Sequence, residues 1–411
     1  MTAKNHTSIP AIAVGRGYTV LGAMRSLAMA GIPTYVACPP GEAVTRSRWY
    51  RPTPGATPWN GGLGPHGLEV LRQMPFEQAV IIPCADDAAL WAAGLAGSDL
   101  ASRFKVSTSS LSTLDILQDK RRCGEFLLQH DIPHPRTFTI DSLADIAQVP
   151  FHELDRVFVK PADSQSFSQA FGAKGVWASS RTEFEELWRR LDDGGFKVVA
   201  QEYVPGRSSD HYFVDGFRDR NGTLSGLFAR RRLRLFPLDF GNSSYSHSIP
   251  LEDVRGAIEP LTRLLAELQY RGIFSAEFKR DSRNGQFKLI EVNTRAWWYV
   301  EFAARCGVNV CRMAYEDAQD ITPTPAPRRY PVNVGCVNLR ADVSAMRAVP
   351  ADSRAPWRRV LGQWARAYFH VFRWDDPVPG LHELGRTIGG KLRRIGSGIQ
   401  AVFSGISTTR G

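Results

Sequence analysis

The chain has 411 residues, 43% hydrophobic and 22% charged, an ordinary globular composition long enough for two or three domains. Disorder and fibrous structure are excluded, and no window comes near the roughly 18 consecutive apolar residues of a membrane span. The net charge of +10 sits at one end, because from Arg328 onward 14 lysines and arginines face 5 acids; the body is close to neutral, and no recognition helix, zinc finger or aromatic RNA-binding strand accompanies the charge, so nucleic acid is not an expected partner.

The polar start, Met1 to Ser8, lacks the charged head and apolar run of a secretory signal, so a soluble cytoplasmic protein is expected. Ile9 to Val14 reads as a strand, Thr19 to Ala30 as a helix, Thr34 to Ala37 as a second strand and Ala79 to Pro83 as a third. Asp86 and Asp87 head an Ala-rich helix running to about Ala96, acids being favourable at that positive end. Strands alternating with helices predict a doubly wound α/β domain, Rossmann-like, over residues 1–118. Gly15-Arg16-Gly17 opens the first helix, but Val20 stands where a dinucleotide fingerprint needs glycine and Ala37-Cys38-Pro39 ends the second strand without an acid, which argues against nicotinamide.

One helix is expected from Ser110 or Ser112 to His130, stopped by Ile132-Pro133-His134-Pro135. Arg156 to Pro161 is a strand ending in Lys160, followed by a polar Ser/Gly-bearing loop from Asp163 to Lys174. Val176 to Ala178 and Val198 to Val204 read as strands, with a helix from about Thr182 to Leu191 between them. Arg230, Arg232 and Arg234 alternate along a further strand and are expected on one face. The Pro-rich stretch from Pro323 marks a boundary before a basic extension, residues 326–411. Six scattered cysteines form no CxxC pair and are read as buried thiols.

The segment Phe274 to Arg295 decides the chemistry. Two alternating runs flank Asn284-Gly285, a hairpin signal. A two-residue loop would leave Glu277 and Glu291 on opposite faces; a three-residue loop, Arg283 to Gly285 with the glycine left-handed, sets them opposite each other with Asn293 on the same face. The second register is adopted. Carboxylates about 4 Å apart repel by roughly 4 kcal/mol at an effective dielectric near 20, so a cation must sit between them. Two carboxylates and an amide oxygen suit magnesium, with manganese as the alternative ion, better than zinc. A solvated hairpin edge with both charges in water is the rival reading.

Asp119-Lys120, Val159-Lys160-Pro161 and Gln201-Glu202-Tyr203-Val204-Pro205-Gly206 precede that hairpin, and two such lysines can neutralise a triphosphate. In this order and spacing, residues 8 to 325 resemble the ATP-grasp superfamily. The resemblance implies an ATP-grasp domain over residues 119–325, with a small lid subdomain at about 135–205, and an ADP-forming ligase joining a carboxylate to an amine through an acyl-phosphate. It implies that Lys120 and Lys160 contact phosphates, with Lys174 in the lid loop and Gly172 as its pivot. Glu202 would accept from the adenine amino group, the backbone at Tyr203 and Val204 would complete a hinge, and Asp210 would hold the ribose. Glu277, Glu291 and Asn293 would hold magnesium. Arg295 and Arg230 are the expected contacts to phosphate or acid substrate.

In the biotin-carboxylase branch the corresponding arginine is followed four residues on by a glutamate base, where this chain has Tyr299, so bicarbonate chemistry is disfavoured. The pattern, including Trp374 to Pro379, is similar to the carboxylate-amine ligase branch that includes D-aspartate ligases. Small-molecule carboxylate and amine substrates, ATP and a homodimer follow as expected partners. The basic tail, with Leu392, Ile395, Ile399, Val402, Phe403 and Ile406 at helical spacing, suggests either docking on the protein body or peripheral contact with the inner face of the membrane. A non-catalytic nucleotide-binding protein with the same fold is the alternative function.

Overall fold

The structure is a computed structural model and describes residues 9–161, 175–193, 197–238, 241–327 and 329–385. Lys174, Gly172 and the rest of the expected lid loop lie outside the described residues, as do the tail residues expected either to dock on the protein body or to contact a membrane. Among the described residues no helix is long and apolar enough to cross a membrane.

Four strands, β1 (Ala11–Val14), β2 (Thr34–Ala37), β3 (Ala79–Pro83) and β4 (Phe104–Val106), form a parallel sheet in the order β2-β1-β3-β4. Every residue of β1 and β3 is buried, as expected for a parallel sheet covered on both faces by crossover helices. The turn after β1 needs its glycine for closeness: a Cβ on Gly15 would lie 2.8 Å from Cys84 Cβ.

A second, antiparallel sheet comprises β5 (Thr137–Ile140), β6 (Val157–Pro161), β7 (Val176–Ala178) and β8 (Val198–Glu202), ordered β5-β8-β6-β7. Alternation sends Val157, Val159, Val198 and Ala200 into a core with Phe184, Leu187, Trp188 and Leu191 of the helix Arg181–Asp192. That leaves Phe158 and Lys160 of β6 on the opposite face.

The third and largest sheet contains β9 (His211–Arg218), β10 (Leu224–Phe236), β11 (Asn242–Ile249), β12 (Gly272–Arg280), β13 (Phe287–Asn293), β14 (Gly335–Val337) and β15 (Tyr368–Phe369), in the order β13-β12-β9-β10-β11-β14-β15. One face is apolar: Val214, Phe274, Ala276, Phe278, Leu289 and Val292 pack on Leu261, Leu264 and Leu265 of the helix Arg255–Glu267. The other face is divided. Phe217, Phe228 and Ile273 join the core shared with the first sheet and its helices, whereas Ser275, Glu277 and Lys279, further along β12, are polar.

Two expectations are corrected here. The single helix over 110–130 is two helices, Leu111–Gln118 and Lys120–Gln129, broken where the Asp119 carboxylate accepts from the Arg121 and Arg122 N–H groups at 2.8 and 3.1 Å. The residues beyond Pro323 are not an appended extension as far as 385, because β14 pairs antiparallel with β11 and carries β15 on its far edge.

The returning chain is also fastened to the first domain. Arg25, fully buried on the helix Gly17–Met29, donates to Asp376 Oδ2 at 2.8 and 3.0 Å, to Glu301 Oε2 at 3.2 Å and to the Val371 carbonyl at 2.9 Å. Asp376 accepts in addition from Ser47 Oγ and the Arg48 N–H. Truncating Arg25 would leave the buried Asp376 with the Ser47 and Arg48 donors but without its guanidinium, and Glu301 with Arg373 alone, so Arg25→Ala is expected to lose about 3–5 kcal/mol of unfolding free energy, read as a lower urea midpoint in the full chain.

Candidate functional site

Strands β12 and β13 pair with Glu277 opposite Glu291 and Ser275 opposite Asn293. The route to this register is not the expected three-residue loop. Asp281 donates to the Gln286 carbonyl and Gly285 to the Asp281 carbonyl, at 2.8 and 2.7 Å, so the turn has four residues, Ser282 to Gly285, with Gly285 left-handed at φ 75°. The register then shifts by one between Glu277 and Phe278, leaving Ile290 unpaired. Packing accounts for this bulge. Leu289 and Val292 are three residues apart, which in a regular strand would send them to opposite faces. The extra residue lets both be buried, at 1% and 5% exposure, while Glu291 and Asn293 share the polar face.

Glu277 Oε1 accepts from His211 Nδ1 at 2.7 Å and from an Arg232 terminal nitrogen at 3.0 Å. Burial pushes the Glu277 carboxyl up, but Arg232, His211 and Arg230 outweigh it and hold the group well below the usual carboxylate range. Burial lowers the His211 pKa against the opposing pull of Glu277, and since a carboxylate can only accept, Nδ1 is the donor in this bond. His211 has no acid partner in sequence; the sheet supplies one, since it opposes Lys279 on β12, two residues from Glu277.

Asn293 Nδ2 donates to Glu291 Oε1 at 3.3 Å, and its Oδ1 accepts from Arg295 at 3.2 Å. Among the described residues neither Oε2 of Glu277 nor Oε2 of Glu291 accepts a hydrogen bond. An all-oxygen donor set with open carboxylate atoms fits a hard divalent cation. Among the described residues no three acids, histidines or cysteines cluster as metal ligands, so such an ion would rely on the Asn293 amide and on oxygens of a bound ligand.

Lys160 Nζ donates to Gln201 Oε1 at 2.6 Å. Burial lowers its pKa to about 8, Glu291 and Glu277 raise it and Lys120 lowers it, so all four groups are within electrostatic range of one another. Lys120 occupies the first position of its helix because Asp119 caps the turn. Lysines and acids thus converge from four elements, a helix, β6, β12 and β13.

The arginine-rich strand divides. Arg230, 3% exposed, donates from Nε to the fully buried Asp215 at 2.7 Å, and Ser275 Oγ donates to the same carboxylate at 2.6 Å. Its guanidinium lies 3.7 Å from the centre of the Phe213 ring. Arg232 serves Glu277 and Ser243. Register shifts on both sides of Arg234 carry it instead to Asp342 and Gln363, so the expected single face of three arginines holds only for two.

The hinge segment also departs from expectation. The Glu202 carboxylate, 5% exposed, accepts from Arg283 at 2.5 Å, from Lys288 at 3.2 Å and from the Arg136 N–H at 3.0 Å, so it is not an open acceptor for an adenine amino group. The Tyr203 N–H is taken by the Arg156 carbonyl at 3.2 Å. Asp210 Oδ2 accepts from the Arg207 N–H at 2.7 Å, and its Oδ1 lies 3.4 Å from Arg231.

Arg295 reaches Asp86 Oδ2 at 2.9 Å, at the carboxyl edge of the parallel sheet, and its buried Nε has no partner among the described residues. Trp297 is buried at 3%, while Trp298 is 36% exposed. Sequence reasoning missed His211, Asp215 and Lys279 as neighbours of Glu277 and Arg230, and expected Arg232 on phosphate or acid substrate where it serves Glu277. The parity of Ser275, Glu277 and Lys279 was the available signal for Lys279.

No family model matches the chain. Over 230 residues it is 24% identical to a D-aspartate ligase of Enterococcus faecium (strain Aus0004), a match covering 53% of this chain and 54% of that one. The chain thus spans about half the length of this curated relative. Among solved structures it is similar to the biotin carboxylase–βγ-ATP complex of Campylobacter jejuni, with a TM-score of 0.60, 14% identity and coverage of 80% and 74% of the two chains. It is similar also to an L-amino acid ligase of Bacillus licheniformis, with a TM-score of 0.54, 16% identity and coverage of 76% and 74%. At these identities the likeness establishes the fold, the mixed α/β ATP-grasp architecture.

The Lys160 pKa has a consequence for stability. An ordinary lysine titrates near 10.4, so below about pH 8 the native state bears the whole cost of that buried charge. Between the two values only the unfolded lysine stays protonated, and the cost falls as pH rises. Lys160→Met should therefore melt above wild type at pH 7, with the gap closing toward pH 10 in parallel melting curves.

Proposed function

We propose that this chain, with its ATP-grasp fold, is an ATP-dependent, ADP-forming ligase joining a carboxylate to an amine through an acyl-phosphate, with a Rossmann-like domain preceding the grasp. The observation that carries the reading is the placement of Glu277 and Glu291 on paired strands, with Asn293 on the same face and Lys160 and Lys120 in electrostatic range. The similarity to a D-aspartate ligase makes amino acids, D-aspartate first, the carboxylates to try.

A carboxylate attacking the γ-phosphorus of ATP must approach an anion, so positive charge has to be in place beforehand. Glu277, Glu291 and Asn293 would hold magnesium, which when bound supplies charge neutralisation at the phosphates. Arg232 and His211 keep Glu277 ionised, so that ligand needs no deprotonation before use. Lys160 and Lys120 would add charge from the second sheet and from the helix that Asp119 caps. Arg295, braced by Asp86, would meet the γ-phosphate or the substrate carboxylate at the edge of the first domain. Arg230 is neutralised by Asp215, so its contribution would be to orient Phe213 and support Arg232. With the Glu202 carboxylate engaged elsewhere, the base would be framed by backbone at Glu202 and Val204, and Asp210 would face the ribose. The acyl-phosphate would then be attacked by a neutral amine, releasing phosphate.

ADP release measured with pooled D- and L-amino acids, and hydroxamate formation with hydroxylamine, test this directly. Carboxylate-dependent ADP release with hydroxamate is the expected result, and tight nucleotide binding without turnover would overturn it. Glu291→Gln should reduce turnover at least about 10³-fold, the loss of roughly 4 kcal/mol of transition-state stabilisation, with the melting temperature of wild type. Retained activity would remove the metal assignment.

A further inference from the structure

One cation on the polar face of the central sheet lacks a matching acid. Lys279, 8% exposed, lies two residues beyond Glu277 on β12 and so on the same face. Its Nζ is 4.7 Å from the centre of the Tyr203 ring, and among the described residues it donates no hydrogen bond. Three neighbouring arginines are matched, Arg230 to Asp215, Arg232 to Glu277 and Arg231 to Asp210, while Arg156, 4.2 Å from the same Tyr203 ring, adds a further positive charge beside Lys279. Asp210, the nearest acid in influence on Lys279, is instead held by Arg231 and the Arg207 N–H.

A buried ammonium without acceptors is costly, and native structures keep such groups where a ligand or ordered solvent completes them. The position of Lys279 on this face indicates which ligand. Lys160 is influenced more by Glu291 than by Glu277, with Lys120 in range of it, so phosphates would be neutralised on that side. Lys279 sits between Glu277 and the hinge residue Tyr203, beside Asp210. A nucleotide with its phosphates at the paired glutamates and its base at the hinge would lay its nucleoside along this ammonium. The sequestered Glu202 carboxylate sharpens the point, because the hinge then offers the nucleoside a cation where an anion was expected.

We propose that Lys279 is a nucleoside-binding side chain, its ammonium donating to a ring nitrogen of the base or to a ribose oxygen. This rests on the nucleotide-binding reading above and adds to it a residue that sets how the nucleoside, rather than the phosphates, is held.

Calorimetric titration of wild type, Lys279→Met and Lys279→Gln with adenosine and with MgADP provides the test. Methionine keeps the length of the side chain and removes an unpaired buried charge, so a wild-type or higher melting temperature is expected. Lys279→Met should weaken adenosine and MgADP alike, by about tenfold or more, the factor equivalent to about 1.4 kcal/mol, and Lys279→Gln, which keeps a donor, should recover part of the loss. A further loss for 7-deazaadenosine in wild type that disappears in Lys279→Met assigns the contact to ring N7; equal binding of the two nucleosides assigns it to another ring nitrogen or to the ribose. Weakened MgADP with unchanged adenosine would place the ammonium on the phosphates and overturn the proposal, as would unchanged affinity for both. Wild type that binds neither ligand would overturn the ligase reading itself, an outcome distinct from either of these.

Discussion

The polar half of one sheet face carries two acids, Asp215 and Glu277, that could not remain ionised there alone. Removing a carboxylate from water costs several kcal/mol unless a counter-charge and hydrogen bonds replace the solvent. Here the replacements are arginines from a single neighbouring strand: Arg230 for Asp215 and Arg232 for Glu277, both stacked against Phe213. The aromatic ring holds the guanidinium planes, the planes hold the carboxylates, and the negative charge of Glu277 is thereby fixed in place before any ligand arrives. Everything assigned to the cleft depends on that pre-set charge.

The same sheet explains why one face can be so polar without loss of stability. Its reverse is continuously apolar and packs on the helix Arg255–Glu267, while the charged face turns apolar at Phe217, Phe228 and Ile273, where the first domain covers it. The polar part of this face thus lies beyond the part that the first domain covers. Closing the sheet's far side falls to the C-terminal residues, whose strand β14 extends it and whose Asp376 reaches back to Arg25.

Much of this was legible from residue spacing. The parallel sheet of the first domain, the strands of the second and the facing of Glu277 and Glu291 follow from apolar runs and alternation. The loop length was misread because Asn-Gly suggests a short turn, whereas the odd spacing of Leu289 and Val292 was the stronger constraint and demanded a bulge. The break at Asp119 was also readable in principle, since an aspartate before Lys-Arg-Arg is a good cap. Pairings such as His211 with Glu277, or Arg283 with Glu202, join residues dozens of positions apart, and no local pattern encodes them. The C-terminal strand was hidden by composition: its three residues, Gly335 to Val337, are too few to show a period, and basic neighbours made the region look like a solvated tail.

The tip of the β12–β13 hairpin touches the chain that links the second sheet to the central one. Arg283 grips Glu202 at the end of β8, and the Ser282 N–H donates to the Pro205 carbonyl at 3.1 Å. The ribbon that presents Glu291 and Asn293 is therefore tied at its outer end to the segment by which the chain leaves the second sheet. A displacement of that sheet relative to the ribbon would have to break the Arg283–Glu202 pair or carry Glu291 and Asn293 along with it.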